Sequence, residues 1–182
     1  VELRLDQPLS DLRAGERFYV TKNDSALFAV KIGSSPLARS GFRVIASHSD
    51  SPCFRVKPNP AMVSAEGYLR LNTEVYGGPI LYTWFDRPLS LAGRVILRGD
   101  DALHPVTQLV DLKRPLLSIP HLAIHFNRAV NDGNHLSRQR DMLPLLGTIS
   151  SHLEADHLLQ RLIAEHLDVP VTDILDFDLL LY

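Results

Sequence analysis

The chain has 182 residues, 45% hydrophobic and 22% charged, the balance of an ordinary soluble globular protein with one sizeable core or two small ones. Its formal net charge of −2 provides no basic excess, which excludes a nucleic-acid partner. No apolar run approaches the length that spans a bilayer, so we expect no membrane association. The single cysteine, Cys53, excludes an internal disulfide and favours a cytoplasmic location.

Both ends of the sequence are unusual for a complete protein. The chain begins at Val1 without an initiator methionine and stops at Tyr182 inside an apolar run. Natural termini are usually polar and frayed. We therefore expect this chain to be a piece of a longer protein.

Strands dominate the predicted secondary structure. Apolar and β-branched runs predict a hairpin over 17–22 and 26–32, followed by a buried strand over 41–46 that Pro52 terminates. A second group of strands is predicted from Cys53 onward, over 53–57, 68–76, 91–97, 107–112 and 176–182. Residues 58–60, which contain two prolines, are expected to break the chain after the first of these strands.

Helical patterns are few and lie late in the chain. Pro120 suits the first position of a helix over 121–130, and apolar spacing of three to four residues predicts a clearer helix over 154–167. Thr172 is expected to cap one last turn before the final strand.

A His-x-Asp triplet follows the predicted strand over 41–46. With the strand period of two, His48 and Asp50 point the same way. An imidazole in such a pair can bind a metal while the carboxylate orients the ring and fixes its tautomer. The alternative is a polar strand end that faces solvent, and the triplet alone leaves both possibilities open.

Two further segments could carry chemistry. His121 and His125 have the spacing of a zinc pair on one helix face, but Leu122 stands where a metalloprotease helix carries its glutamate. One or both histidines lining an interface or a pocket is the alternative. The only tryptophan, Trp84, precedes an adjacent acid and base and is typical of a core anchor beside a local salt bridge.

These segments, in this order, resemble the aspartyl aminopeptidase family of zinc metallopeptidases. The resemblance runs over nearly the whole chain from Phe18 onward. No single segment decides it, but together they make chance agreement very improbable. The matching segments are 46–52, 55–58, 74–78, 83–87, 89–95, 119–120 with 122–125, 131–133 and 174–177.

The resemblance implies an α/β catalytic domain that is interrupted by an inserted, β-rich dimerisation domain with a few helices. Residues 1–52 would be the opening strands of the catalytic domain. Residues 53–176 would form the dimerisation domain, and residues 177–182 would be a strand that returns to the catalytic domain.

The resemblance also implies roles for three residues. His48 would be a ligand of a two-zinc site, Asp50 would be the catalytic carboxylate that partners it, and His125 would bind substrate in the active site of the neighbouring subunit. The other zinc ligands and a general-base glutamate would lie after Tyr182. His121 has no counterpart, and its role stays unassigned.

The implied function is that of a zinc-dependent aminopeptidase, which removes N-terminal, acidic residues from peptides by means of metal-activated water. The parent would be a homo-oligomer, with dimers building a dodecamer. We expect this chain alone to be inactive and competent to oligomerise, and not to bind zinc stably, because one histidine is too few ligands. The alternative is a non-catalytic, β-rich oligomerisation or interaction module.

Overall fold

The computed structural model describes residues 2–4, 11–149 and 157–182. These residues belong to two units, Val1–Ser49 and Asp50–Tyr182. In the first unit, β1 (Arg17–Lys22) and β2 (Ala26–Lys31) form the predicted antiparallel hairpin. A four-residue helix, α1 (Leu37–Ser40), follows. No helix in the described part of the chain is long and apolar enough to cross a membrane.

The prediction of a buried strand over 41–46 is wrong. These residues form no strand pairing, and Val44 and Ile45 are 80% and 99% exposed. A β-branched run supplies only a preference for strand geometry, whereas the ladder hydrogen bonds and the burial must come from a neighbouring strand. Within the described residues no strand pairs with this segment.

The second unit, where the structure describes it, contains an antiparallel sheet of six strands. Across the sheet the order is β6-β5-β8-β3-β4-β7, so the last strand of the chain lies between two inner neighbours. In chain order the strands are β3 (Cys53–Val63), β4 (Tyr68–Tyr76), β5 (Leu91–Leu97), β6 (Val106–Asp111), β7 (Leu145–Thr148) and β8 (Ile174–Leu181).

Most predicted strands of this unit are confirmed. The bounds of β4 and β5 match the prediction, and β6 and β8 begin one and two residues earlier than predicted. β7 was not predicted. The structure is therefore mostly β-sheet with few helices, as expected, while the assignment of 1–52, 53–176 and 177–182 to catalytic and dimerisation domains stays a prediction.

Residues 58–60 do not break β3, contrary to the prediction. The register of β3 against β4 shifts between Val56 and Ala61, so several residues of β3 bulge out opposite Asn72. On its other side β3 pairs with β8 only through Phe54 and Arg55. Prolines are tolerated at bulges and unpaired edges, because no ladder hydrogen bond is lost there.

Isolated bridges connect β7, through the segment around Ser118, to the residues just before β5, and they close the sheet into a ring. Leu145 of β7 bridges to Ser118, and the residues on either side of Ser118 bridge to Phe85 and Leu89. The segment that contains Phe85 and Leu89 leads directly into β5. Closure of this kind leaves few unpaired strand edges.

The described part of the second unit has a buried hydrophobic core, to which the sheet and α2 both contribute. Its fully buried side chains are Phe54, Leu69, Leu71, Leu91, Val95, Ile119, Met142, Ile163, Leu179 and Leu181, together with Thr73 and Pro144. Trp84 packs edge-on against Phe54, with ring centroids 4.9 Å apart, so its predicted role as a core anchor is confirmed. The core holds β3, β4, β5 and β8 as one body.

Of the two predicted helices, the later one is confirmed and the earlier one is wrong. α2 (Leu158–Leu167) confirms the later helix and buries Leu159 and Ile163, while residues 154–156 lie outside the described residues. The helix over 121–130 is wrong, because that segment forms consecutive turns instead. Thr172 is not a cap either: it lies inside the short 3-10 turn Val171–Asp173, whose N-cap position is Pro170.

Candidate metal centre

Asp50 is the first residue of the second unit and is held by a tyrosine. The hydroxyl of Tyr76 donates a hydrogen bond to Oδ2 of Asp50. Tyr76 is the last residue of β4 and pairs in register with Cys53, the first residue of β3. The start of one strand and the end of its neighbour therefore bring together two side chains that lie 26 residues apart in sequence.

Charged groups surround this pair on the outer face of the sheet. The guanidinium Nε–H of Arg55 donates to Oδ1 of Asp178 at 2.8 Å, and both side chains are about half exposed. Opposite Arg55, in register across β3 and β4, lies Glu74. On this face of β3, Arg55 thus lies beside the carboxylates of Asp178 and Glu74.

The negative charges on this face contribute to shifts in the pKa values of two side chains, Cys53 and Tyr76. Burial raises the pKa of the Cys53 thiol above 9.0, and the negative charges of Asp50 and Asp178 raise it further. The pKa of Tyr76 is raised above 10.0, mainly because its hydroxyl donates to the Asp50 carboxylate and also because that carboxylate is negative. The Asp50 carboxylate thus contributes to the raised pKa of both side chains.

His48 is an exposed side chain near the end of the first unit. An imidazole nitrogen suits zinc, and a carboxylate two residues away in sequence suits the role of orienting such a ring. The number of donors is insufficient, however, since structural and catalytic zinc sites take three or four protein ligands. Nowhere in residues 2–4, 11–149 and 157–182 do three histidine, cysteine or carboxylate side chains cluster in a way that could hold a metal.

The two histidines of the 121–125 segment lie in different surroundings. His121 is half-buried, its ring 4.5 Å from that of Phe85, and its backbone N–H donates to Oδ1 of Asp86 at 3.0 Å. His125 is exposed in a tight turn between Ile124 and Phe126, which are exposed as well. Because the segment is not helical, the basis for a zinc pair on one helix face is lost. His121 is instead a packed side chain.

Comparison with known proteins shows the family to which the chain belongs. The family model described as aminopeptidase I zinc metalloprotease (M18) matches residues 2–182. The chain belongs to the M18 aminopeptidase family. The "Probable M18 family aminopeptidase 2" of Clostridium acetobutylicum is 53% identical over 172 residues, which cover 94% of this chain and 40% of that protein. This chain therefore spans about two fifths of the length of such curated M18 relatives.

Solved structures of M18 family members share the fold. The Ape4 chain of a cryo-EM complex with Nbr1 matches with a TM-score of 0.85 and 34% identity, over 99% of this chain and 37% of the other. The mApe1 dodecamer of S. cerevisiae matches with a TM-score of 0.74 and 26% identity, over 100% of this chain and 40% of the other. The recognition of a zinc aminopeptidase family from the sequence is confirmed.

Tyr76 lies in the matching segment 74–78, but the sequence predicts no role for it. Its alternating strand indicates that it lies on the outer face, and the two glycines after it mark the strand end. Its partner could not be read from the sequence, because the contact depends on the register of β3 against β4. The roles predicted for His48, Asp50 and His125 stay predictions.

Proposed function

We propose that the protein to which this chain belongs is a zinc-dependent aminopeptidase that removes N-terminal residues, acidic ones by preference, from peptides. The observation that carries the proposal is the M18 family match over residues 2–182, which contain the His48-x-Asp50 triplet. His48 contributes one imidazole nitrogen to a two-zinc site. Asp50 orients that imidazole and raises its basicity as a ligand.

The chemistry follows from what each group supplies. Bound zinc ions lower the pKa of a coordinated water towards neutrality and polarise the scissile carbonyl. His48 and Asp50 hold one corner of that site. The remaining ligands and the general base belong to the part of the M18 relatives that this chain does not cover. For this reason we infer that the chain alone neither binds zinc stably nor hydrolyses peptides.

A neighbouring subunit completes the active site in this proposal. His125 lies exposed in a turn of the second unit, a position that supports contact with another copy of the chain. There its imidazole would donate to the acidic side chain of the substrate or to the developing oxyanion. The dodecamer described for yeast mApe1 supports a homo-oligomer assembled from dimers. The single cysteine supports a cytoplasmic location.

The test uses the complete open reading frame that encodes this chain. We expect the purified protein to contain zinc, to form an oligomer in sedimentation analysis, and to cleave N-terminal aspartyl peptides faster than alanyl peptides. A protein that oligomerises but contains no zinc and cleaves neither peptide is the non-catalytic module, and the proposal is then wrong.

Two pairs of variants resolve the residue roles. His48→Ala should lower zinc content and reduce kcat/KM by about 100-fold or more, whereas His166→Ala on the exposed face of α2 should change neither. His125→Phe should reduce kcat/KM about 100-fold while zinc content stays unchanged. His135→Phe, another exposed loop histidine, is its control. Unchanged catalytic efficiency in His125→Phe refutes the role in the neighbouring site.

Zinc titration of this chain alone tests its predicted inability to hold the metal. Isothermal titration should give no tight, stoichiometric binding, because one imidazole and its carboxylate partner are too few ligands. A stoichiometric site lost in His48→Ala would contradict this expectation.

A further inference from the structure

β6 is an edge strand in the part of the chain that the structure describes. It pairs with β5 on one side, and among residues 2–4, 11–149 and 157–182 no strand or bridge pairs with its other side. Its first four residues are exposed, with Val106 at 51% and Leu109 at 69%. Such an edge presents backbone N–H and C=O groups that can pair with another chain.

The register against β5 shows which backbone groups of β6 face outward. The N–H of Leu112, directly after the strand, donates to the C=O of Leu91 at 3.0 Å. Residues of an antiparallel strand direct their backbone groups to alternate sides, so those of Leu109 and Asp111 face the open side. Thr107 faces the open side for the same reason. The backbone groups of these alternate residues are therefore directed towards a neighbour.

The sequence of β6 lacks the usual protection of an edge strand. Natural edges carry lysines, prolines or bulges that prevent pairing. β6 contains neither lysine nor proline, and its register against β5 is continuous from Val106 to Asp111. The carboxylate of Asp111, its one charged residue, accepts hydrogen bonds from the Tyr182 hydroxyl at 2.5 Å and the Lys113 backbone N–H at 3.2 Å. An exposed edge without protection is an interaction surface.

Charges of opposite sign flank β6 at its two ends. The loop before the strand contains Asp100 and Asp101, both exposed. Lys113 and Arg114 follow the strand and are exposed as well. When a second β6 pairs antiparallel across a two-fold axis, the acidic loop of one copy comes beside the basic residues of the other, and this contact occurs twice. Parallel pairing would bring like charges together, so the charges favour a second copy of the chain in antiparallel orientation.

We propose that two copies of this chain pair antiparallel through β6, so that the sheet of the second unit continues from one subunit into the next. This inference rests on the homo-oligomer of the proposed function and deepens it, because it names the surface and the geometry of the contact. The contact is isologous, with the same strand used on both sides. Backbone hydrogen bonds supply the pairing, and the flanking charges fix its direction.

Sedimentation velocity of the full-length protein tests the edge. Leu109→Lys brings two lysines together near the two-fold axis, and the exposed side chain that it replaces is not part of the core. We expect the concentration at which half of the oligomer dissociates to rise about tenfold or more. The matched control, Leu175→Lys, changes an exposed leucine of β8 and should leave that concentration unchanged.

Charge reversal tests the second copy and the direction of pairing. Asp100→Lys and Arg114→Glu should each weaken the oligomer, because each brings like charges together. An equimolar mixture of the two variants should recover assembly, since the two reversed charges then face each other and the native pair forms at the other end of the contact. A mixture that assembles no better than either variant alone overturns the antiparallel pairing of two copies.

Amide hydrogen exchange shows whether the backbone of the edge is covered. In the wild-type oligomer the amides of Thr107 and Asp111 should exchange slowly, and Leu109→Lys should accelerate them about tenfold or more. The amide of Val110, which faces β5, should stay slow in both proteins and so confirm that the variant is folded. Fast exchange at Thr107 and Asp111 in the wild-type oligomer overturns the inference. Slow exchange in the dissociated variant overturns it too, because the same polypeptide then covers the edge.

The same samples separate this inference from the proposed function. A wild-type oligomer that Leu109→Lys leaves intact overturns the role of β6 alone. A monomeric wild type overturns the homo-oligomer as well, while zinc content and peptide cleavage decide independently whether the protein is an aminopeptidase.

Discussion

Two segments on either side of Pro52 have a similar sequence pattern but differ in strand pairing and burial. Residues 41–46 and β5 are both short and contain adjacent β-branched residues, and both are predicted as strands from the sequence, the first of them as a buried one. β5 lies between β6 and β8 with Leu91 and Val95 fully buried, whereas Ile45 is almost fully exposed. The difference lies in the neighbours, since strand pattern becomes strand structure only where a second strand supplies hydrogen bonds and cover.

The largest effect that tests this comparison is a core truncation. Phe54 is fully buried and contacts Trp84, so Phe54→Ala should lower the free energy of unfolding of this chain by about 3–5 kcal/mol. Ile45→Ala should change it by less than about 0.5 kcal/mol, because its side chain has little contact to lose. Urea unfolding followed by tryptophan fluorescence measures both. A similar loss in the two variants would mean that the 41–46 segment is packed after all.

The same comparison explains how far the sequence could predict the structure. β4 and β5 were predicted with their bounds because alternation and glycine stops are local signals. β7 was missed because Leu145–Thr148 is short and its role as a ring-closing strand depends on distant bridges. For the site, the His48-x-Asp50 triplet was visible in sequence, while Tyr76 required the register of two strands.

A second test addresses the close approach of β5 and β8. A Cβ on Gly93 would lie 2.1 Å from the backbone oxygen of Asp178, so Gly93→Ala forces the two strands apart. We expect a loss of about 1–3 kcal/mol in urea unfolding. Gly78→Ala, where no heavy atom lies within 4 Å, should have a much smaller effect. Equal stability of Gly93→Ala and wild type would contradict the pairing of β5 with β8.

A third test uses the pKa of the Cys53 thiol to measure the effect of the negative charges near β3. Burial and the negative charges of Asp50 and Asp178 raise the pKa of Cys53 above 9.0, with Asp50 the stronger of the two charges. Thiolate absorbance during an alkaline titration of this chain should therefore show a lowered pKa in Asp50→Asn and a smaller decrease in Asp178→Asn. The reverse order would mean that Asp50 lies farther from the strand than the hydrogen bond to Tyr76 implies.

The smallest expected effect comes from an exposed turn that, unlike residues 41–46, organises its own backbone. Asp101 accepts hydrogen bonds from the backbone N–H groups of Leu103 and His104, and its carboxylate contacts Nδ1 of His104 at 2.8 Å. The hydrogen bond with the His104 ring is the main cause that lowers the pKa of Asp101 from 3.8. A carboxyl whose pKa is lowered by folding stabilises the native state above its unfolded pKa, and the contribution disappears as the pH falls through the folded value.

This turn therefore loses its stabilisation only in acid below pH 3.8. Carbon-detected NMR titration of this chain should give a midpoint for the Asp101 carboxyl below 3.8, and His104→Ala should move that midpoint upward. His135→Ala, at an exposed position elsewhere in the second unit, should leave it unchanged. A midpoint that does not respond to His104→Ala would mean that the backbone N–H groups alone hold the carboxylate. The turn would then depend on its own backbone geometry rather than on a side-chain pair.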